Sequence, residues 1–174
     1  MIQLVDQTTF GTPRGNCFAA CVASLLGLPV KEVPNFCYLY EDAEWYDEFL
    51  KWLKPRGYAS LTQEFGADPE GLFAWIERCA PSIPWIAGGP TPRGMHCALY
   101  IGRVLLHDPN PHARKTSTHG VDKFHDATFL LPDFGVQALL AAKGRGPFYE
   151  PKGGEKWADV FDDEGVLNDD ALPR

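Results

Sequence analysis

Apolar residues recur at helical spacing in three stretches of the first half of the chain. In GNCFAACVASLLGLP, Phe18, Val22, Leu25 and Leu26 share one side of a helix expected from Asn16 to Leu26, and Gly27 and Pro29 end it. In EDAEWYDEFLKWLKPRG, Trp45, Phe49, Trp52 and Leu53 form a second apolar side, closed by Gly57. The third stretch, DPEGLFAWIERC, carries an Asp N-cap, proline at the first helical position and a Leu72, Trp75, Ile76, Cys79 stripe. Between these, VKEVP has room for one short turn of helix, and YASLTQEF reads as a short strand.

From residue 83 the period changes. IPWIAGG, MHCALYIG, VLLHDP and FHDATFLLP are short runs rich in branched and aromatic residues, separated by Gly, Pro and Asn. Helices first and an antiparallel sheet second is the order of an α+β fold. DFGVQALLAAKG offers a terminal helix with a weaker amphipathic pattern. Beyond Gly144 the chain turns to Gly, Pro and acidic residues with little apolar surface to bury, so the expected division is a domain over 1–143 and an extended acidic tail over 144–174. Phe148, Tyr149, Trp157, Val160 and Phe161 are the tail's candidate docking points. No internal repeat is evident.

A chain of 174 residues, 45 % hydrophobic, suits one domain with a sizeable core. The net charge of −7 argues against a partner that presents a phosphate backbone. No basic-then-apolar leader opens the sequence, and no run approaches roughly 20 apolar residues, so a membrane is not an expected partner. Five cysteines, an odd number without regular spacing, suit free thiols in a reducing, cytoplasmic compartment. Cys21, Cys79 and Cys97 read as core packing. His107, His112, His119 and His125 lack paired zinc spacing, and neither a metal nor another cofactor is expected.

Cys17 stands apart because it opens a helix, where unpaired backbone N–H groups and the positive end of the helix dipole favour a thiolate. HCALYIGRVLLHDP then supplies an imidazole, His96, and a carboxylate, Asp108. If Gly102 centres a tight turn, these two face each other across an antiparallel pair, close enough for the carboxylate to hold the ring. A two-residue turn at Gly102-Arg103 instead slides the partner of His96 to Pro109 and makes Asn110 the fallback third member. His107 belongs on the opposite strand face from Asp108. A cysteine, a histidine and an acid in these roles make a nucleophile, its base and the group that orients the base.

The order of these residues resembles the papain-like cysteine peptidase superfamily, and HCALYIGRVLLHDPNP resembles the His-strand and DP-turn of its bacteriocin-processing, double-glycine branch. DQTTFGTPRGNCFAACVASLLGLPVKEVPNF also resembles small uncharacterised proteins of phage and bacterial genomes, for which a cytoplasmic site means the host cytoplasm. The resemblance implies N-terminal helices packed on a small antiparallel sheet. It makes Cys17 the nucleophile, His96 the base and then acid, and Asp108 the orienting carboxylate. Gln7 matches the glutamine that lends an N–H to the oxyanion hole, although it lies ten residues before Cys17 and needs the FGTPRG segment to loop out. The expected activity is hydrolysis of an amide, peptide or isopeptide bond through a thioester, with a peptide or protein substrate such as a host protein or conjugate. The alternatives are an acyltransferase or transglutaminase with the same three residues, and a non-catalytic module that captures a peptide or conjugate.

Overall fold

The computed structural model describes residues 2–41, 44–66, 68–92, 94–113 and 125–133. Among these the order is α1 (Cys17–Leu26), a short helical turn at Val30–Glu32, α2 (Phe36–Leu39), α3 (Glu44–Leu53), a turn at Lys54–Arg56, β1 (Tyr58–Glu64), α4 (Pro69–Cys79), and then β2 (Pro84–Thr91), β3 (Gly94–Ile101), β4 (Val104–His107) and β5 (Asp126–Pro132). The fold is therefore α+β. The sheet runs β1-β5-β2-β3-β4, with β2 antiparallel to both β3 and β5 and β3 antiparallel to β4. Phe65 donates to His125 and Asp133 to Gly57, so β1 and β5 also run in opposite directions.

Two compact units divide the described residues: those up to Trp45 with those from Leu61 to Leu130, and Tyr46–Ser60 with residues 131–133. In the first, apolar residues of α1 (Phe18, Ala19, Ala20, Val22, Leu26), α4 (Leu72, Ile76) and the central strands (Trp85, Ile86, Ala98, Leu99, Phe129) are buried. Trp85 stacks on Tyr100 at 5.1 Å, and Trp75 meets Phe129 edge-on at 5.8 Å. In the second, Phe49 and Leu53 of α3 are buried, and Arg56 lies 3.9 Å over the Trp52 ring.

Local signals account for the helix ends. Gly27 caps α1 in the left-handed region at φ 69°, which costs glycine nothing, and its N–H returns to the Ala23 carbonyl. Asp68 caps α4 by accepting from Gly71 N–H. Asn16, expected as the first residue of α1, is its N-cap instead. Cys79, expected in the core, is exposed at the end of α4 because the stripe reaches the surface on the helix's last turn.

The β3–β4 hairpin corrects the symmetric register. Ile101 pairs with Val104, so the turn is the two-residue Gly102-Arg103, with Gly102 at φ 53°. A bulge between Leu99 and Tyr100 then shifts the pairing, and Leu99 meets His107. Asp108 lies beyond the end of β4 rather than opposite His96 in the ladder. The terminal helix over 133–144 and the tail over 144–174 lie outside the described residues, apart from Asp133. Among the described residues no helix is long and apolar enough to cross a membrane.

Candidate active site

Residues 5–7 run beside the end of β4. Val5 N–H donates to Ser24 Oγ of α1 at 2.8 Å, its carbonyl meets His107 Nε2 at 3.0 Å, and Gln7 N–H donates to the Pro109 carbonyl at 2.9 Å. Asp6 adds a 3.3 Å contact to His107 Nε2. His107 is thus spent on anchoring the N-terminal segment. This tie brings Gln7 to the wall of the cleft that also exposes Cys17 and His96.

The chain then makes a loop before α1. Gly15 N–H donates to the Gly11 carbonyl at 2.6 Å, and the Thr12–Pro13 peptide is cis. Asn16 fastens the loop: its Oδ1 accepts from the N–H groups of Thr8 and Thr9, both at 3.0 Å, and its Nδ2 donates to Thr8 Oγ1 at 3.1 Å. Because this side chain faces backward, no side chain caps the start of α1. The first-turn N–H groups are left toward the Cys17 end of the cleft, where they favour negative charge. Asn16→Ala removes the acceptor of two partly buried backbone donors and should cost about 1 kcal/mol. A lower urea midpoint at unchanged m-value is the expected readout.

Cys17, His96 and Asp108 come together at the mouth of this loop. His96 Nε2 donates to Asp108 Oδ1 at 2.9 Å, and the carboxylate is fully buried. The same oxygen accepts Asn110 N–H at 2.8 Å, while Asn110 Oδ1 takes His112 N–H. Asp108 is accordingly the group on the ring, and Asn110 supports it through its backbone. With Nε2 engaged, Nδ1 is the ring nitrogen left for Cys17, which lines the same cleft.

The electrostatics follow from these contacts. A hydrogen bond from the Cys97 side chain is the strongest influence on Cys17; burial opposes it, and the hydrogen bond and charge of His96 act with it, so the thiol is held well below its usual range. Burial pushes His96 down, but hydrogen bonds to Asp108 and Cys17 and the charges of both outweigh it and raise the ring to about 9. Both shifts favour a thiolate paired with an imidazolium. Cys97 is driven up by its bond to that thiolate and by burial, so it remains a donor. Burial raises Cys21 strongly, and Cys37, also in the cleft wall, rises to about 11 through burial and the charge on Cys17.

Gln7 is nearly buried, and its Nε2 donates to the Thr9 carbonyl at 3.0 Å, using one of its two hydrogens. Its Oε1 is the buried side-chain oxygen without a hydrogen-bond partner among the described residues. The cleft has a volume of about 660 Å³, and its wall includes Phe10, Phe18, Pro92 and Met95 with no Asp, Glu, Lys or Arg among the described residues. Arg14 contributes its carbonyl, which Thr9 Oγ1 and Asn35 Nδ2 contact, rather than its charge. Among the described residues no group of three or more His, Cys, Asp or Glu side chains could hold a metal ion.

Sequence reasoning missed Cys97 and Asn16. Strand alternation sends Cys97 to the face opposite His96, so nothing in the sequence placed it in the wall of the same cleft as Cys17. Asn16 looked like an ordinary helix start. No protein-family model, no curated protein and no solved structure matches this chain.

Proposed function

We propose that the protein is a cysteine-dependent hydrolase of amide, peptide or isopeptide bonds. The observation that carries this reading is the buried Asp108 carboxylate holding His96 Nε2 in the wall of an open cleft that Cys17 also lines. A resemblance to papain-like peptidases in the segments around Cys17 and His96 agrees with it. In this mechanism the Cys17 thiolate attacks a carbonyl carbon, and the carbonyl oxygen takes up the negative charge. The Cys17 backbone N–H and the second Nε2 hydrogen of Gln7 stabilise that oxyanion; one such donor is worth ~2.7–4 kcal/mol of barrier. His96 gives its proton to the leaving amine, and the thioester remains on Cys17. The now neutral ring draws a proton from water, which attacks the thioester and restores the thiolate.

The pH dependence follows from the pair. Below the depressed Cys17 ionisation the nucleophile is protonated and lost; above the raised His96 ionisation the acid is lost. The profile of kcat/KM against pH for a peptidyl nitroanilide should be a bell with its alkaline limb near 9, the value to which His96 is raised. Alkylation by iodoacetamide needs only the thiolate, so it should rise once, well below the ordinary thiol range, and show no alkaline fall. Cys17 should label far ahead of Cys21, Cys37 and Cys97, which are all shifted upward. Equal labelling of the thiols at neutral pH contradicts the assignment.

A further inference from the structure

Asn35 opens α2, and its backbone carbonyl accepts the N–H groups of Tyr38 and Leu39 at 2.9 and 3.0 Å. An asparagine in that position ordinarily turns its side chain onto its own helix. This one does not. Its Nδ2 donates instead to the carbonyls of Arg14 and Gly15, at 3.1 and 3.4 Å, in the loop that leads into Cys17. We propose that Asn35 is a positioning residue, which fixes the peptide groups ahead of Cys17 so that the Cys17 N–H points at the oxyanion formed on the substrate. The inference rests on the hydrolase reading above, in which that N–H is an oxyanion donor.

Three successive peptide groups transmit the hold. The Arg14–Gly15 peptide gives its N–H to the Gly11 carbonyl at 2.6 Å, and its carbonyl accepts Asn35 Nδ2 and, at 2.9 Å, Thr9 Oγ1. The Gly15–Asn16 peptide gives its N–H to the Thr9 carbonyl at 3.3 Å, and its carbonyl also accepts from Asn35 Nδ2, whose two hydrogens suffice for both carbonyls. The Asn16–Cys17 peptide carries the donor itself, and its carbonyl accepts Ala20 N–H at 3.0 Å as the first bond of α1.

Apart from Asn35, the partners of these three peptides lie between Thr9 and Ala20, on the same stretch of chain. Asn35 ties that stretch to a separate element of the fold. The Gly15–Asn16 peptide, next to the donor, is held by the longer bonds, 3.3 and 3.4 Å, so losing one of them leaves it loosely fixed. An oxyanion donor works by being aimed in advance at the place where charge develops, and a small misplacement is costly in rate. The side chain that forgoes its own helix therefore acts on the reaction through the backbone of the nucleophile.

The test compares the full-length protein with Asn35→Ala and Asn35→Ser. Neither change deletes a helix cap, because the side chain makes none, and serine offers α2 a hydroxyl able to cap it, which guards the fold. In both variants kcat for a peptidyl nitroanilide and for a nitrophenyl ester should fall by the same factor, about 10-fold, with KM little changed; deleting a whole oxyanion donor costs roughly 10²–10³. Iodoacetamide forms no oxyanion, so its alkylation rate at Cys17 should hold, as should the alkaline limb of the pH profile near 9. Unchanged turnover of both substrates, a larger loss on the anilide than on the ester, or alkylation slowed in parallel overturns the proposal. An unsubstituted protein that takes no acyl group on reduced Cys17 overturns the hydrolase reading and this inference together, whereas an active protein indifferent to Asn35 overturns this inference alone.

Discussion

Replacing His96 with alanine is expected to lower kcat/KM for a peptidyl nitroanilide at neutral pH by about 10²–10⁴-fold, the contribution of a positioned general acid–base group. The loss has two parts that a change of leaving group separates. Without the imidazolium, Cys17 loses an influence that favours its ionised form, so less nucleophile is present. Without the ring, the leaving amine also departs without a proton. A nitrophenyl ester expels a stable phenolate and needs no acid, so it should suffer only the first part. His96→Ala should therefore penalise the anilide more than the ester, and raising the pH should recover ester turnover as Cys17 ionises. Equal penalties on both substrates at every pH are the result that removes His96 as the acid.

Asp108 carries the second large effect. Asp108→Ala removes the acceptor of both His96 Nε2–H and Asn110 N–H from a fully buried place. Breaking a buried charged pair by deleting one partner costs about 3–5 kcal/mol, and His96 retains slight exposure, so the lower end applies. Chemical denaturation should show that loss, and turnover should fall with it because the ring is no longer held with Nδ1 toward the sulfur. Asp108→Asn makes a sharper comparison. An amide oxygen can accept the same two hydrogens, so the ring stays oriented and most of the stability remains. The carboxylate charge, which helps raise His96, is gone. The alkaline limb of the pH profile should consequently move to lower pH while the neutral rate stays well above that of Asp108→Ala. Identical profiles for Asp108→Asn and the unsubstituted protein contradict a charged carboxylate in this role.

The parts of this fold legible from sequence are those set by neighbours in the chain. α1 and α4 announce themselves through Gly27 and Asp68 and through stripes whose inner residues, Val22, Leu26, Leu72 and Ile76, are buried. The runs from IPWIAGG to FHDATFLLP fall on the strands β2 to β5 for the same reason. α2 went unseen because four residues, Phe36–Leu39, are too few to display a period. The His96–Asp108 contact was expected from a register that the hairpin does not have. A two-residue turn and a bulge displace the ladder, and Asp108 reaches the ring from past the end of β4. A bulge depends on packing across the sheet, which one glycine cannot report. Cys97 and Asn16 were misjudged on similar grounds, since each acts on a partner brought near by a loop or by helix placement. Gln7 lines the cleft through its ties to Pro109 and Thr9, with FGTPRG looping out between it and Cys17.

Intact-mass analysis of the reduced protein mixed with a nitrophenyl ester, quenched in acid within the first turnovers and followed by peptide mapping, bears most directly on Cys17 as an acyl-accepting nucleophile. One acyl group on Cys17, decaying on incubation as free acid accumulates and absent in Cys17→Ala, is the result expected. Acylation spread over the other thiols, or a protein left unmodified while Cys17 is fully reduced, contradicts it.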